Sequence, residues 1–479
     1  MRRLAFFIVP AVALWAGEAG AHGFGQRYDL PVPLGMFIFG GAAAVALSFV
    51  IAGFFLRHSP DTANYPRYNL LKLWPFRALA HPVTRGIVQA FFAALFVLVV
   101  LAGLIGAQNP NTNLIVVMVW VIAWVGLAYV CALLGNIWAL INPWNNLFKA
   151  AEWLAAKTTR GGVSANAPYP SGLGVTPAIV LFIVFAWIEI VWEGASVPRN
   201  LAVMLIVYSA ITWIGMTVFG RETWLRRGEI FSILFGLFAR FAVTEVRTGA
   251  DGRREWNLRP PAVGLFVSEP PHPSLMIFVL AALSTVSFDG FVDTATWQRL
   301  GYAIYQQVKG AGDFAIPIIG VAGLLAAPAL FVTAYLLVSA VIGVVSDSLR
   351  DFWALARIFV LSIVPIAIAY HLSHYASMLA IEGQLLIPAI SDPFGWGWNL
   401  FGTGDYRVDI AVIGAKQIWY FSISAIVLGH IAAVYLAHAE AMKFYGDHAR
   451  ALRSQVPMLM LMVGYTMVSL WIIAQPIVS

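Results

Sequence analysis

Ten runs of this chain are apolar over a length that can cross a bilayer: 34–56, 86–106, 114–141, 176–192, 201–219, 274–288, 315–345, 357–386, 411–437 and 457–475. A spanning helix takes about 20 such residues. The expected fold is therefore all-α, a polytopic membrane helix bundle of about ten transmembrane helices. Composition agrees. Only 11% of residues are charged, against about 25% in ordinary soluble domains. The runs 315–345 and 357–386 exceed one bilayer thickness, so tilt or breakage is expected, with Pro365 as a kink point. The single cysteine, Cys131, lies in an apolar run and excludes both a disulfide framework and a cysteine metal site.

Residues 1–21, MRRLAFFIVPAVALWAGEAGA, have the plan of a secretory signal peptide. Arg2 and Arg3 form its basic start, Leu4 to Trp15 its apolar stretch and Ala19-Gly20-Ala21 its cleavage site. Cleavage leaves residues 22–479 as one polytopic membrane domain with His22 at its N-terminus. A cleaved signal puts that N-terminus outside, and ten spans return the C-terminus to the same side. The loops then predicted inside hold 20 Lys and Arg, those outside six, as the positive-inside rule requires. The formal charge of +6 is loop charge of this kind, and no nucleic-acid partner is expected. The segment 220–273 is the irregular one. Its GEIFSILFGLFARFAV is apolar on one side and suits a cytoplasmic, interfacial or dipping helix.

Ionisable side chains inside spans are costly and mark functional sites. The run AYHLSHYASMLAIEGQ carries His371, His374, Met378 and Glu382 at intervals of three, four and four. On a continuous helix these share one face. The histidines fall about 21 and 25 Å in from Arg357, and two imidazoles one turn apart can hold one metal ion. His371, His374 and Glu382 are thus candidate ligands for a divalent transition metal, zinc or copper by donor type. His22 adds a free amine and an imidazole of the kind copper takes. His430, in the next span, is a candidate cofactor ligand. Glu189 and Asp289 fall at predicted outer span ends, as does Asp293, and are candidate catalytic carboxylates. The chain lacks a GxxxxGK[ST] loop, a GxSxG elbow and an HExxH pair.

The segment AHGFGQRYDLPVPLGMFIFGGAAAVALSFV, the ten-span layout and HLSHYASMLAIEGQ resemble a bacterial family of integral membrane proteins named fenitrothion hydrolase. The resemblance implies a location in the bacterial inner membrane. It also implies hydrolysis of the aryl ester bond of an organophosphorus triester, an apolar small molecule that partitions into the bilayer. It carries no agreed catalytic residues. Metal held by histidines and a carboxylate would activate water for such a reaction. Two other classes stay open. Histidines from two spans can ligate haem b, or copper, in a redox protein. A transporter or metal permease can use the same groups as a path. A second membrane subunit remains an open partner.

Overall fold

The computed structural model describes residues 30–56, 64–158, 162–249, 252–266 and 268–478. The signal segment and His22 lie outside the described residues. In chain order the main helices begin with α1 (Leu34–Phe55), α2 (Pro82–Ile105), α3 (Leu114–Leu133), α4 (Pro143–Thr158) and α5 (Thr176–Ile190). There follow α6 (Pro198–Phe219), α7 (Arg221–Arg227), α8 (Ile230–Phe241), α9 (Pro273–Val292) and α10 (Ala295–Val308). The last are α11 (Ala315–Val345), α12 (Leu349–His374), α13 (Ala415–Tyr445) and α14 (His448–Val478). Ten of these are long and apolar enough to cross a membrane, one for each run expected from the sequence. The all-α polytopic bundle is the fold.

Four spans end well away from where hydropathy suggests: the ninth runs on to Tyr445, the tenth starts at His448, and the third and eighth shape the site. The third stops at Leu133, and the chain turns through Leu134–Ile137 into a short helix at Trp138–Ile141. The eighth starts earlier, at Leu349, tightens at Val360–Ile363 just before Pro365, and ends at His374. Tyr375 then has φ −95° and ψ 8°, and short helical pieces, Ala376–Ile381 and Leu386–Ser391 joined by a 3-10 turn, continue to Ser391.

The segment 220–273 enters the bundle. Gly220, at φ 85°, reverses the chain after α6, and α7 climbs back along it. The indole of Trp224 lies between Gly215 and Gly228, where a Cβ would approach it to 2.2 and 2.6 Å. α8 then descends with Ile230, Leu234 and Phe235 buried, and Phe238 faces α12. The Asn142-Pro143-Trp144 turn reaches the same depth, since the Trp144 indole donates to Ser209 Oγ (2.8 Å), midway along α6. Backbone of this kind inside a membrane is tolerated only where protein surrounds it.

Glu229 joins these two turns and is fully buried. It accepts from the Tyr208 hydroxyl (2.8 Å), the Asn142 amide (3.1 Å) and the Trp138 indole (3.3 Å). It also caps α8, taking the N–H groups of Phe231 (3.0 Å) and Ser232 (2.8 Å). The helix entry and both turns thus depend on one carboxylate.

A three-stranded antiparallel sheet closes one end of the bundle, in the order β1 (Tyr68–Asn69), β3 (Arg254–Leu258), β2 (Thr244–Thr248). Its strands come from 57–85 and 220–273, two loops expected on the same side. Ala165 and Ala167 bond to Thr217 and Val218 at that end too. The basic loops therefore gather at one end. There, buried Arg259 donates to the carbonyls of Ala239, Arg240 and Ala242, finishing α8, and to Glu245 (2.8 Å). Burial works to raise the Glu245 carboxyl, but bonds from Tyr65 and Arg67 and the charge of Arg259 outweigh it and hold the group below the usual carboxylate range. An ionised, depressed carboxylate stabilises the fold above its ordinary value, and that contribution is lost as pH falls through the depressed value. Glu245→Gln should loosen the sheet by about 1–2 kcal/mol, allowing for its partial exposure. Limited proteolysis of the 244–258 hairpin will report this. Cleavage should rise at neutral pH, and the acid sensitivity of the wild type should shrink in the variant.

Candidate intramembrane acid–base site

At the end opposite the sheet, three spans bring their ionisable residues together. Glu189 lies in the last turn of α5, Asp289 in the last turns of α9, and His374 closes α12. His374 Nε2 is 2.9 Å from Asp289 Oδ2. The Tyr375 hydroxyl lies 2.7 Å from the same oxygen and 3.0 Å from Glu189 Oε1. That hydroxyl has one proton to give. Satisfying both contacts takes a second proton, carried by one of the two carboxyls. The side chains of His374 and Asp289 are 16% and 22% exposed, so the pair stays reachable from its end of the bundle.

The break at Tyr375 makes this geometry. A helix continuing past His374 would carry the Tyr375 ring onward with the spiral. By stopping, α12 leaves that ring packed on His374 (centroids 4.6 Å apart) with its hydroxyl between the two carboxyls. Asp293, one turn above Asp289, is exposed at the mouth of the site.

The structure separates several residues that spacing had grouped. His371 is 2% exposed and points into an aromatic cage of Trp124 (5.2 Å), Tyr375 (4.8 Å), Phe238 (6.0 Å) and Tyr129 (6.4 Å). It does not share a ligand position with His374, whose Nε2 is taken by Asp289. Glu382 lies beyond the break, exposed, and makes no bond to either histidine. The single stripe expected over 371–382 fails because it assumed one unbroken helix. His430 is buried in α13 and bonds through Nδ1 to its own helix at the Ile426 carbonyl (2.8 Å). It does not reach the cluster. The rings of Tyr465 and Tyr370 stand in series between it and His374, at 5.9, 6.4 and 6.3 Å. A haem bridging His374 and His430 would need that occupied space.

Among the described residues no group of three or more His, Cys, Asp or Glu is arranged to hold a metal ion. The described donors therefore do not fit the metal expected from His371, His374 and Glu382, and His22 lies outside the described residues. Asp289, in contrast, meets His374 directly, and Glu189 joins the pair through the Tyr375 hydroxyl. Sequence reasoning missed Tyr375, Trp124, Tyr370 and Tyr465, since aromatic residues in an apolar helix read as packing. Trp124 carries one faint signal. It lies in a wide-turned π segment, Val117–Gly126, a local geometry frequent at functional sites.

An apolar cavity of about 420 Å³ lies at the same end, lined by Ile190, Val191, Phe288, Val292, Trp297 and Tyr302 among others. Ile190 and Phe288 are the chain neighbours of Glu189 and Asp289. Comparison with protein-family models finds no match, and neither characterised proteins nor solved structures show significant similarity to this chain.

Proposed function

We propose that this chain is a membrane-embedded hydrolase of apolar esters in which His374 is the general base and Asp289 holds it. The observation that carries the reading is the His374–Asp289 pair, partly open at one end of an apolar bundle and backed by Glu189 through Tyr375. Water attacks the ester centre and gives its proton to the imidazole, and the bond from that centre to the aryloxy oxygen breaks. Asp289 fixes the ring and stabilises its protonated form, as carboxylates do in histidine-based hydrolysis. A nitrophenolate leaves as the anion, so no strong acid is required.

The likeness to fenitrothion hydrolases supports an organophosphorus triester as the substrate class. Such a molecule is neutral and apolar, and the cavity beside Ile190 and Phe288 suits one arriving from the lipid. In this reading the membrane is the bacterial inner membrane, with the site and both termini on its outer side. Purified protein in nanodiscs should release nitrophenol from an aryl phosphorothioate triester. Release that persists under chelators supports the histidine–carboxylate route over a metal route. No release from the folded protein would sink the hydrolase.

One observation favours a second reading, a proton-coupled transporter. Two carboxyls sharing a tyrosine hydroxyl inside a membrane are the kind of group that carries protons in such proteins. Proton uptake by proteoliposomes, with no ester cleavage, would establish it in place of the first.

A further inference from the structure

We infer that Tyr370, Tyr465 and His430 line a buried water site that links His374 to the centre of the bundle. Three observations carry this. The Tyr370 hydroxyl is buried, on a residue 1% exposed, and among the described residues no group bonds to it. His430 is equally buried, and its Nδ1 bonds to a carbonyl, so Nδ1 carries the proton and Nε2 is an acceptor. That Nε2 has no partner among the described residues either. A buried donor and a buried acceptor left unbonded each cost about 1–3 kcal/mol, and native interiors meet such groups with ordered water.

The third observation is Gly290. A Cβ there would lie 2.9 Å from the Tyr370 hydroxyl, 3.0 Å from Ile472 Cγ2 and 3.3 Å from His374 Nδ1. Tyr370 and the free nitrogen of His374 therefore face one spot on α9, within about 6 Å of each other. That is roughly the span one water bridges, with two hydrogen bonds of about 2.8 Å. A Cβ there would press on both groups, so only glycine lets them approach this face of α9 so closely. Farther in, the Tyr465 ring stacks near Tyr370 and lies 5.9 Å from His430. Its hydroxyl donates to Ser287 Oγ (2.5 Å), because Ser287 spends its own proton on the Leu283 carbonyl (2.7 Å). The Tyr465 oxygen keeps a lone pair for water.

The site joins the acid–base pair to His430, whose Nε2 has no bond among the described residues. A proton leaving His374 Nδ1 passes to the water. Bound water carries it on to His430 Nε2, and the Tyr465 oxygen serves that water only as an acceptor, because its own proton is held by Ser287. The return runs the same chain in reverse. This arrangement stands whichever reaction the outer pair performs.

Radiolytic hydroxyl labelling of the full-length protein in nanodiscs tests it, because radicals formed from bound water oxidise the side chains beside that water. Tyr335 is the internal control: it is also 1% exposed, but its hydroxyl is fully engaged with the Ala356 carbonyl (2.6 Å). Tyr370 should label about tenfold faster than the equally buried Tyr335 if water occupies the polar site, and Tyr465, which is partly exposed, is read only against its own variant. Gly290→Ala should bring Tyr370 down toward the control, and His430→Phe should lower the labelling of Tyr465. Equal background labelling of Tyr370 and Tyr335 in the wild type would overturn the proposal, and that comparison needs no variant to fold. The readout is independent of turnover. Labelled protein that releases no nitrophenol keeps the water site while losing the hydrolase reading.

Discussion

Asp289→Asn should cut nitrophenol release about a thousandfold, within the 10²–10⁴ range that a positioned acid or base contributes. The carboxylate accepts from His374 Nε2 and from Tyr375 through a single oxygen, Oδ2. An asparagine amide either turns its NH₂ toward that imidazole, presenting a donor to a donor, or keeps its oxygen there without the charge. In both cases the protonated ring formed during catalysis loses its counter-charge. His374→Ala should fall as far, and the double variant should fall little farther, because residues that act as a unit are not additive. Glu189→Gln should cost less, since Glu189 touches the pair only through Tyr375. Steady-state kinetics on protein shown to be folded decides the matter. Unchanged kcat in Asp289→Asn would remove the pair from the chemistry and leave the cluster a structural one.

Glu229→Ala should be the most damaging single change to the fold. It strips the acceptor from Tyr208, Asn142 and Trp138 and from two backbone N–H groups at the start of α8. All of this lies where no bulk water can substitute. A buried donor left without an acceptor costs about 1–3 kcal/mol, and several lose theirs at once. The expected result is protein that fails to survive extraction or melts far below the wild type in detergent. Glu229→Gln keeps one carbonyl acceptor and should fall between. A thermal melt of Glu229→Ala coincident with that of the wild type would show that the two inserted turns hold without this carboxylate.

Hydropathy located the spans because each helix must present about 20 apolar residues to lipid, a demand that leaves little freedom in sequence. Cost located much of the site. Glu189, Asp289 and His374 drew notice as groups that lipid penalises, and they do meet. The stripe from His371 to Glu382 misled because helical periodicity carries no information about where a helix stops. Nothing local marks the stop, since Tyr375 is neither proline nor glycine. Its backbone is set by what its hydroxyl reaches on α5 and α9, partners distant in sequence. The inserted α7–α8 pair shows the same limit. Its 12-residue apolar helix is too short to span, and whether it lies on the surface or enters depends on Gly215 making room for Trp224 and on Glu229 finding Asn142. The aromatic residues around His371 gave no signal, since an apolar helix uses such side chains for packing in any case.

The depth reached by α8 constrains how the protein is made. Its buried face needs Trp138, Phe185 and His371, contributed by a turn after α3, by α5 and by α12. The ribosome completes α12 more than a hundred residues after α8. Until then α8 has neither the length to insert by itself nor its full set of neighbours, so it waits on the side of the basic loops. The buried face of α8 can therefore be completed only after α12 has been made, with α13 and α14 still to follow. The 244–258 strands, docked on the loop before α2, keep its base tethered while it waits.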